Sequence, residues 1–393
     1  MSLLAAIVGL ALLVLIHEAG HFFAARAVGM TPRKFYLGFG PPLVKKLRNG
    51  VEYGIGAFPL GGYVKIPGMN RPSAGELRRL LTPDQQQELR APLARLDLAL
   101  DAEDDDAARA ACAELEPELG SLRTWQELEM ALAPDAYWRQ ATWRRVVAIA
   151  AGPAINLVFA IVLFTALFLV ATTHSTRTIA HVVHGTPAAA AHLRAHDTIL
   201  AVAGRPVTAD DVTDRIRATA GRPFTLVVGR AGKRVTIGPL RARLDQGAYR
   251  IGVEIVARTG PGESLPAAVG DAFGTTWGVT RDTVVGIAHL ARGRDTNQVS
   301  STVGIVRVSQ QAWRDGVREF LGVLGLISLA LGLLNLLPLL PLDGGHILIA
   351  LVEKLRGRTF RQGVYIRYSA VGLSLFALLM YFGLRNDLFG SGG

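Results

Sequence analysis

A single cysteine, Cys112, stands among 393 residues, so the chain closes no disulfide on itself and is not a small scaffold held by cross-links. Acidic residues are scarce beside basic ones, 32 against 42, which gives a formal net charge of +10. Such an excess can mark a nucleic-acid binder. Its distribution argues otherwise, because the basic residues crowd the flanks of apolar runs instead of forming a stripe. Charge is missing altogether from residues 1–16. No basic segment precedes that run and no convincing small-residue cleavage site follows it, so it reads as a retained helix and not as a signal peptide.

What is present is apolar length. Half of the residues are hydrophobic, and the mean hydropathy of +0.30 is high for a soluble protein. Four stretches are long enough to span about 30 Å of hydrocarbon: Leu3–Val28, Val146–Thr172, Phe320–Leu340 and Val364–Leu384. Arg33, Lys34, Lys45, Lys46 and Arg48 follow the first, and Arg139, Arg144 and Arg145 precede the second. Lys354, Arg356, Arg358, Arg361 and Arg367 lie between the third and fourth. The positive-inside rule therefore expects residues 29–142 and 353–363 in the cytoplasm, Cys112 among them, and both termini outside.

The first run ends in Leu15-Ile16-His17-Glu18-Ala19-Gly20-His21. Residues four apart share one face of a helix, so His17 and His21 can offer two imidazoles to one Zn²⁺. Glu18 is suited to take a proton from water beside that metal. The bland alternative is a pair of structural histidines at a helix end. Ionisable groups in an apolar zone are costly and persist mainly where they are paired, coordinated or functional.

The segments between the spans differ in composition. Val51–Ile66, within residues 29–74, reads as a hairpin in which Tyr53, Ile55 and Phe58 face Tyr63, Val64 and Ile66 across Pro59-Leu60-Gly61-Gly62. Residues 75–138 are rich in Ala, Leu, Glu, Asp and Arg, with an acidic run at Asp101–Asp106, and suggest two or three soluble amphipathic helices. The second span (within 143–173) opens with Ala151-Gly152-Pro153-Ala154-Ile155-Asn156. Asn156 is a polar group in the apolar zone, expected to bond another helix or, as the sharper option, to contact substrate. Residues 174–260 read as a β-rich outer domain with strands at Phe224–Gly229, Arg234–Ile237 and Tyr249–Val256. A connector at 261–316 carries a helix around Ala267–Leu290, suited to the membrane surface or to packing on that domain. The final Gly390-Ser391-Gly392-Gly393 reads as a linker.

A catalytic zinc usually takes three protein ligands and keeps one position open. Asp343 is the best remaining candidate. Pro338 and Pro341 should break the third span, residues 317–352, and non-helical backbone at that depth is tolerated only where it is buried in protein or lines a cavity. One span separates the first from the third, so these two run in the same direction and Asp343 can meet His17 and His21 at one depth. A helix N-cap at Asp343 is the competing reading, and His346 is the rival ligand.

These motifs resemble those of the site-2 protease family of intramembrane zinc metalloproteases, with the regulator-of-sigma-E branch nearest. His17-Glu18-Ala19-Gly20-His21 is similar to its His-Glu-x-Gly-His motif. Asn335 to Gly345 is similar to its Asn-x-x-Pro-x-x-x-Leu-Asp-Gly-Gly segment, and Pro59 to Lys65 to its membrane-associated hairpin. The resemblance covers nearly all of the chain except 75–138. It implies one Zn²⁺ held by His17, His21 and Asp343, Glu18 as general base, and substrate contacts from Asn335, Gly61, Gly62 and Tyr63. The outer segment resembles a PDZ domain through Gly185-Thr186-Pro187-Ala188-Ala189-Ala190-Ala191-His192-Leu193, with His192, His196 and Ala203 where two glycines and an asparagine are usual. Those departures favour a steric gate over a groove for a peptide terminus.

The expectation is thus a polytopic α-helical membrane protein with four transmembrane helices (the last at 364–385), a membrane-associated β-hairpin and one external β-rich PDZ-like domain. It would lie in a bacterial inner membrane and hydrolyse peptide bonds in or beside transmembrane segments, such as those of anti-sigma factors or remnant signal peptides. Its partners would be a membrane-spanning substrate and the lipid bilayer, with no nucleic acid. A non-proteolytic PDZ-type adaptor is the alternative, and it leaves the metal motif idle. A transporter is the third reading, but the two halves show no inverted repeat.

Overall fold

The computed structural model describes residues 1–72, 74–102, 104–121, 123–209, 211–245, 248–292, 301–360 and 362–389. Glu103 of the acidic run, Arg361 and the Gly390–Gly393 tail lie outside them. Among the described residues, four helices are long and apolar enough to cross a membrane: Ser2–Ala27, Thr142–Val170, Val317–Asn335 and Gly363–Leu388. The chain divides into two compact units, residues 1–164 with 272–393 and residues 165–271.

The first unit opens with helix α1 (Ser2–Ala27), whose last turns carry His17 and His21. Strands β1 (Lys34–Arg48) and β2 (Val51–Lys65) follow. Their pairing corrects the expected hairpin. The tight turn falls at Asn49-Gly50, both at positive φ, the Asn-Gly chemistry that two-residue hairpin loops require. Both strands then bend back, so Phe35 pairs with Tyr53 on one side and with Val64 on the other. The two stretches expected to face each other are therefore separated by Lys34–Leu37, and Pro59-Leu60-Gly61-Gly62 lies inside β2.

Among the described residues, five α-helices form the insertion: α2 (Ala74–Leu80), α3 (Pro83–Glu88), α4 (Arg90–Ala102), α5 (Asp105–Leu119) and α6 (Arg123–Leu132). The sequence suggested two or three, because breaks as short as that between α3 and α4 leave the apolar spacing nearly continuous. Leu77, Leu93, Leu96, Leu115 and Trp125 fill its own core. Cys112 is part of that core, and burial, with help from Glu129 and Glu116, pushes its thiol up to about 11, so it is not a reactive cysteine. Helix α7 (Thr142–Val170) then runs on into the second unit.

The second unit is built on a six-stranded sheet of β3 (Ala171–Val182), β4 (Thr198–Val202), β5 (Arg205–Pro206), β6 (Pro223–Arg230), β7 (Lys233–Arg241) and, after a small hairpin of β8 (Arg243–Asp245) and β9 (Ala248–Arg250), β10 (Val253–Pro261). The order is β10-β3-β4-β6-β7, with β5 pairing β4. Helices α8 (Pro187–Ala190) and α9 (Val212–Ala218) complete it around Ile179, Ile199, Leu226 and Val228. The strand expected over Tyr249–Val256 is broken at Gly252, whose φ of +82° ends β9 and starts β10.

The chain returns to the first unit through α10 (Leu265–Ala291) and α11 (Thr302–Asp315). Helix α12 (Val317–Asn335) stops three residues before Pro338, as the steric restriction ahead of proline anticipates. Non-helical backbone follows, and α13 (Asp343–Arg356) begins at the Leu-Asp-Gly-Gly segment. The last helix is α14 (Gln362–Phe389).

Candidate metal centre

Two crossings bring the site together. At Gly20 a Cβ would lie 2.6 Å from the Ala151 carbonyl oxygen, and at Gly152 one would lie 2.2 Å from His21 Nε2, so α1 and α7 touch through glycines. At the start of α13, a Cβ on Gly344 would meet the Leu336 carbonyl oxygen at 2.2 Å. The non-helical stretch therefore folds directly onto that helix end, and Asp343 is delivered beside α1. The N-cap of α13 is Leu342 and makes no side-chain capping bond. Asp343 is thus not the cap.

His17 Nε2 and His21 Nε2 are 3.2 Å apart, and Asp343 Oδ2 lies 3.2 and 3.3 Å from them. Zinc bonds of about 2.0–2.1 Å in a tetrahedron imply ligand edges of about 3.3 Å. The triangle has that size. Asp343 Oδ2 is buried with the two imidazole nitrogens beside it, an arrangement that suits a shared cation. The histidines are 7% and 6% exposed. His21 Nδ1 lies 3.0 Å from the Ala148 carbonyl and donates to it, which turns the Nε2 lone pair toward the triangle. The Asn156 amide lies 3.2 Å from His17 Nδ1. His346 is outside this group of ligands; its Nδ1 is buried without a partner.

Glu18 faces the opposite wall. The Val64 N–H donates to its carboxylate, and a Cβ on Gly62 would come within 3.0 Å of its Cγ. A cavity of about 460 Å³ opens from Glu18, His21, Asp343 and His346 along Gly62–Ile66, the end of β2 and the residue after it, toward α6. Tyr63 lines it and stacks on Tyr36, ring centroids 5.2 Å apart. The expected substrate contacts are divided by this arrangement. Gly62 and Tyr63 line the cavity, whereas Gly61 packs against the Phe39 ring. Asn335 donates to the Leu331 carbonyl of its own helix, 3.0 Å away, and Asn156 is fully buried against His17. Neither lines the cavity, because helix geometry turns both amides toward protein groups.

One buried group of residues was not singled out from the sequence. Arg145 Nη2 and Glu353 Oε2 are 2.6 Å apart, each 4% exposed, and join α7 to the helix that carries Asp343. The Phe360 N–H and the Tyr365 hydroxyl donate to the other Glu353 oxygen. The signal was present but read as bulk charge, since Arg145 counted only as a flanking cation.

Comparison with known proteins agrees with this geometry. The profile of peptidase family M50 matches residues 5–379. The chain belongs to peptidase family M50. Among similar proteins, the metalloprotease MmpA of Caulobacter vibrioides is 27% identical over 96% of this chain and 93% of its own length. The probable protease Eep of Enterococcus faecalis is 25% identical over 96% of each. The M50 assignment makes this chain a site-2-type zinc metalloprotease, and the residues that fit the zinc are His17, His21 and Asp343.

Proposed function

We propose that this chain hydrolyses peptide bonds within or beside transmembrane segments of other proteins, from a site open to the cytoplasmic side of a bacterial inner membrane. The observation that carries the reading is the meeting of His17 and His21, on the first apolar span, with Asp343, at the start of the helix that follows the third, with Glu18 beside them. The basic flanks support cytoplasmic residues 29–142 and 353–363, with both termini and the β-rich unit outside.

When bound, zinc supplies a Lewis acid that polarises the scissile carbonyl and acidifies water. Glu18 then takes the proton from the attacking water and hands it to the leaving amine. His21 is held in the metal-binding tautomer by Ala148, and the β2 segment packs against Glu18 through Gly62 and Val64. Lys65 accepts from the Arg33 N–H on the β1 side, so the two-residue period turns Val64 outward toward the site. An unwound substrate segment can lie along that outer edge. The β-rich unit acts as a PDZ-like gate. A peptide terminus held in its own cavity, about 700 Å³ between α9 and β10, is the alternative role for that unit. Anti-sigma factors and remnant signal peptides are the expected substrates.

Glu18→Gln tests the reading against the adaptor alternative. The variant should keep its zinc and lose cleavage of a membrane-spanning substrate, whereas Asp343→Ala should lose both. Near-wild-type turnover by Glu18→Gln would falsify the mechanism.

A further inference from the structure

The helical insertion has no part in the chemistry, yet one of its helices borders the same cavity as the metal ligands. Thr124, Glu127, Leu128 and Ala131 of α6 all line that cavity. Their spacing of three, four and seven residues puts them on one helix face. Trp125 and Leu132 pack into the insertion's own core and Leu128 belongs to both, so α6 joins that core to the cavity.

The position of α6 is fixed relative to β2. Lys65 Nζ bonds Glu127 Oε1 at 3.0 Å, and Arg33 pairs with Asp135 at 2.9 Å just beyond the helix. The Tyr137 and Trp138 N–H groups donate to the Pro67 and Gly68 carbonyls. Between the two walls, Asn70 keeps a buried side-chain oxygen without a donor, and Asn70 lines the cavity. An acceptor left in that state is costly, and a turn of the Asn70 amide would bring it to an N–H of a chain bound in the cavity. An extended polypeptide offers one at every residue.

We propose that α6 is the specificity wall for the polypeptide segment that continues from the scissile bond toward the cytoplasm. This deepens the protease reading above and rests on it. The segment enters extended between α6 and the β2 edge, and Asn70 accepts from its backbone. Its side chains are neutral and apolar, because Met69, Leu77, Leu128 and Met130 supply much of the lining while Lys65 and Glu127 neutralise each other. Unbranched methionines adapt their shape, so the wall grades side chains by size and does not demand one residue.

The test uses the full-length protein in proteoliposomes and two membrane-spanning substrates. These differ only in the residues just cytoplasmic to the scissile bond, bulky and apolar in one and glycine and alanine in the other. Thr124 is half-buried at the cavity and outside the insertion core, so Thr124→Trp narrows the passage without disturbing that core. The bulky substrate should lose kcat/KM by about tenfold or more while the small one stays within about twofold, with zinc content unchanged. Met130→Ala widens the passage and should shift the preference the other way, which keeps the test valid if Thr124→Trp misfolds. Equal changes for both substrates, or no change with either variant, overturn the specificity wall and leave the protease reading standing. Failure of wild-type protein to cleave either substrate any faster than Glu18→Gln overturns both.

Discussion

The metal centre and the β-rich unit treat glycine in opposite ways. Around the metal, Gly152 and Gly344 stand where a Cβ would come within 2.2 Å of His21 Nε2 and of the Leu336 carbonyl oxygen. In the β-rich unit, His192, His196 and Ala203 occupy left-handed backbone at φ of 58°, 69° and 50°. Two of these positions usually hold glycine and the third asparagine in the domains that the segment resembles. The difference is between space and torsion. A left-handed φ costs an L-residue about 1–2 kcal/mol, which a packed core can offset. An atom inside another atom's radius forces its neighbour to move, the His21 ring at Gly152 and backbone at Gly344.

The comparison is broken most severely at Gly152. Gly152→Ala should displace the His21 ring and separate α7 from α1, lowering zinc affinity by roughly a hundredfold or more and cleavage with it. Zinc titration against a competing chelator measures this, with circular dichroism to check that the helices persist. Wild-type affinity in that variant would mean that α1 and α7 shift freely, and the glycine would then have no role in the site.

Much of this site was legible in the sequence because its signals are local. His17, Glu18 and His21 need only one helix, and Asp343 follows from a proline-broken span running parallel to the first. The β1–β2 pairing was misread although Asn49-Gly50 was available, because the more conspicuous Pro59-Leu60-Gly61-Gly62 offered a competing turn. Arg145 and Glu353 were out of reach for a different reason. Their partnership spans 208 positions, and nothing local separates a buried ion pair from two flanking charges. The same holds for α6. Its cavity face is written in Thr124, Glu127, Leu128 and Ala131, but only the tertiary arrangement says what that face meets.

A second prediction concerns charge in the β-rich unit. Asp197 is 1% exposed. Burial would raise its carboxyl, but the Arg230 guanidinium and the Arg194 N–H outweigh that and hold it below the usual carboxylate range. A depressed native pKa stabilises the unit above the unfolded value of about 3.9, and the contribution is lost as pH falls through the native value. The hydrogen-exchange protection factors of residues 165–271 in the full chain should therefore fall on acidification below pH of about 4. Arg230→Met leaves the carboxylate buried and unpaired, and should cost about 2–3 kcal/mol, below the usual range because the arginine is partly exposed. An Arg230→Met protein as protected as wild type at neutral pH would mean that the Arg194 N–H is sufficient for Asp197.

The smallest effect sharpens the torsional side of the comparison. His196 is exposed, and its N–H donates to the Ile179 carbonyl at 2.8 Å, a bond that glycine keeps. His196→Gly should therefore lose little packing and relieve about 1–2 kcal/mol of backbone strain. Glycine also gives the unfolded chain more freedom, worth about 0.5–1 kcal/mol in the opposite direction. The net expectation is a gain of about 0.5 kcal/mol, read as slower exchange across residues 165–271. His192→Gly should behave alike, since Arg230 bonds its backbone carbonyl and not its ring. A loss of stability from both would mean that the imidazoles make contacts that outweigh the strain. The torsional account of these positions would then fail, while the steric account of Gly152 would be untouched.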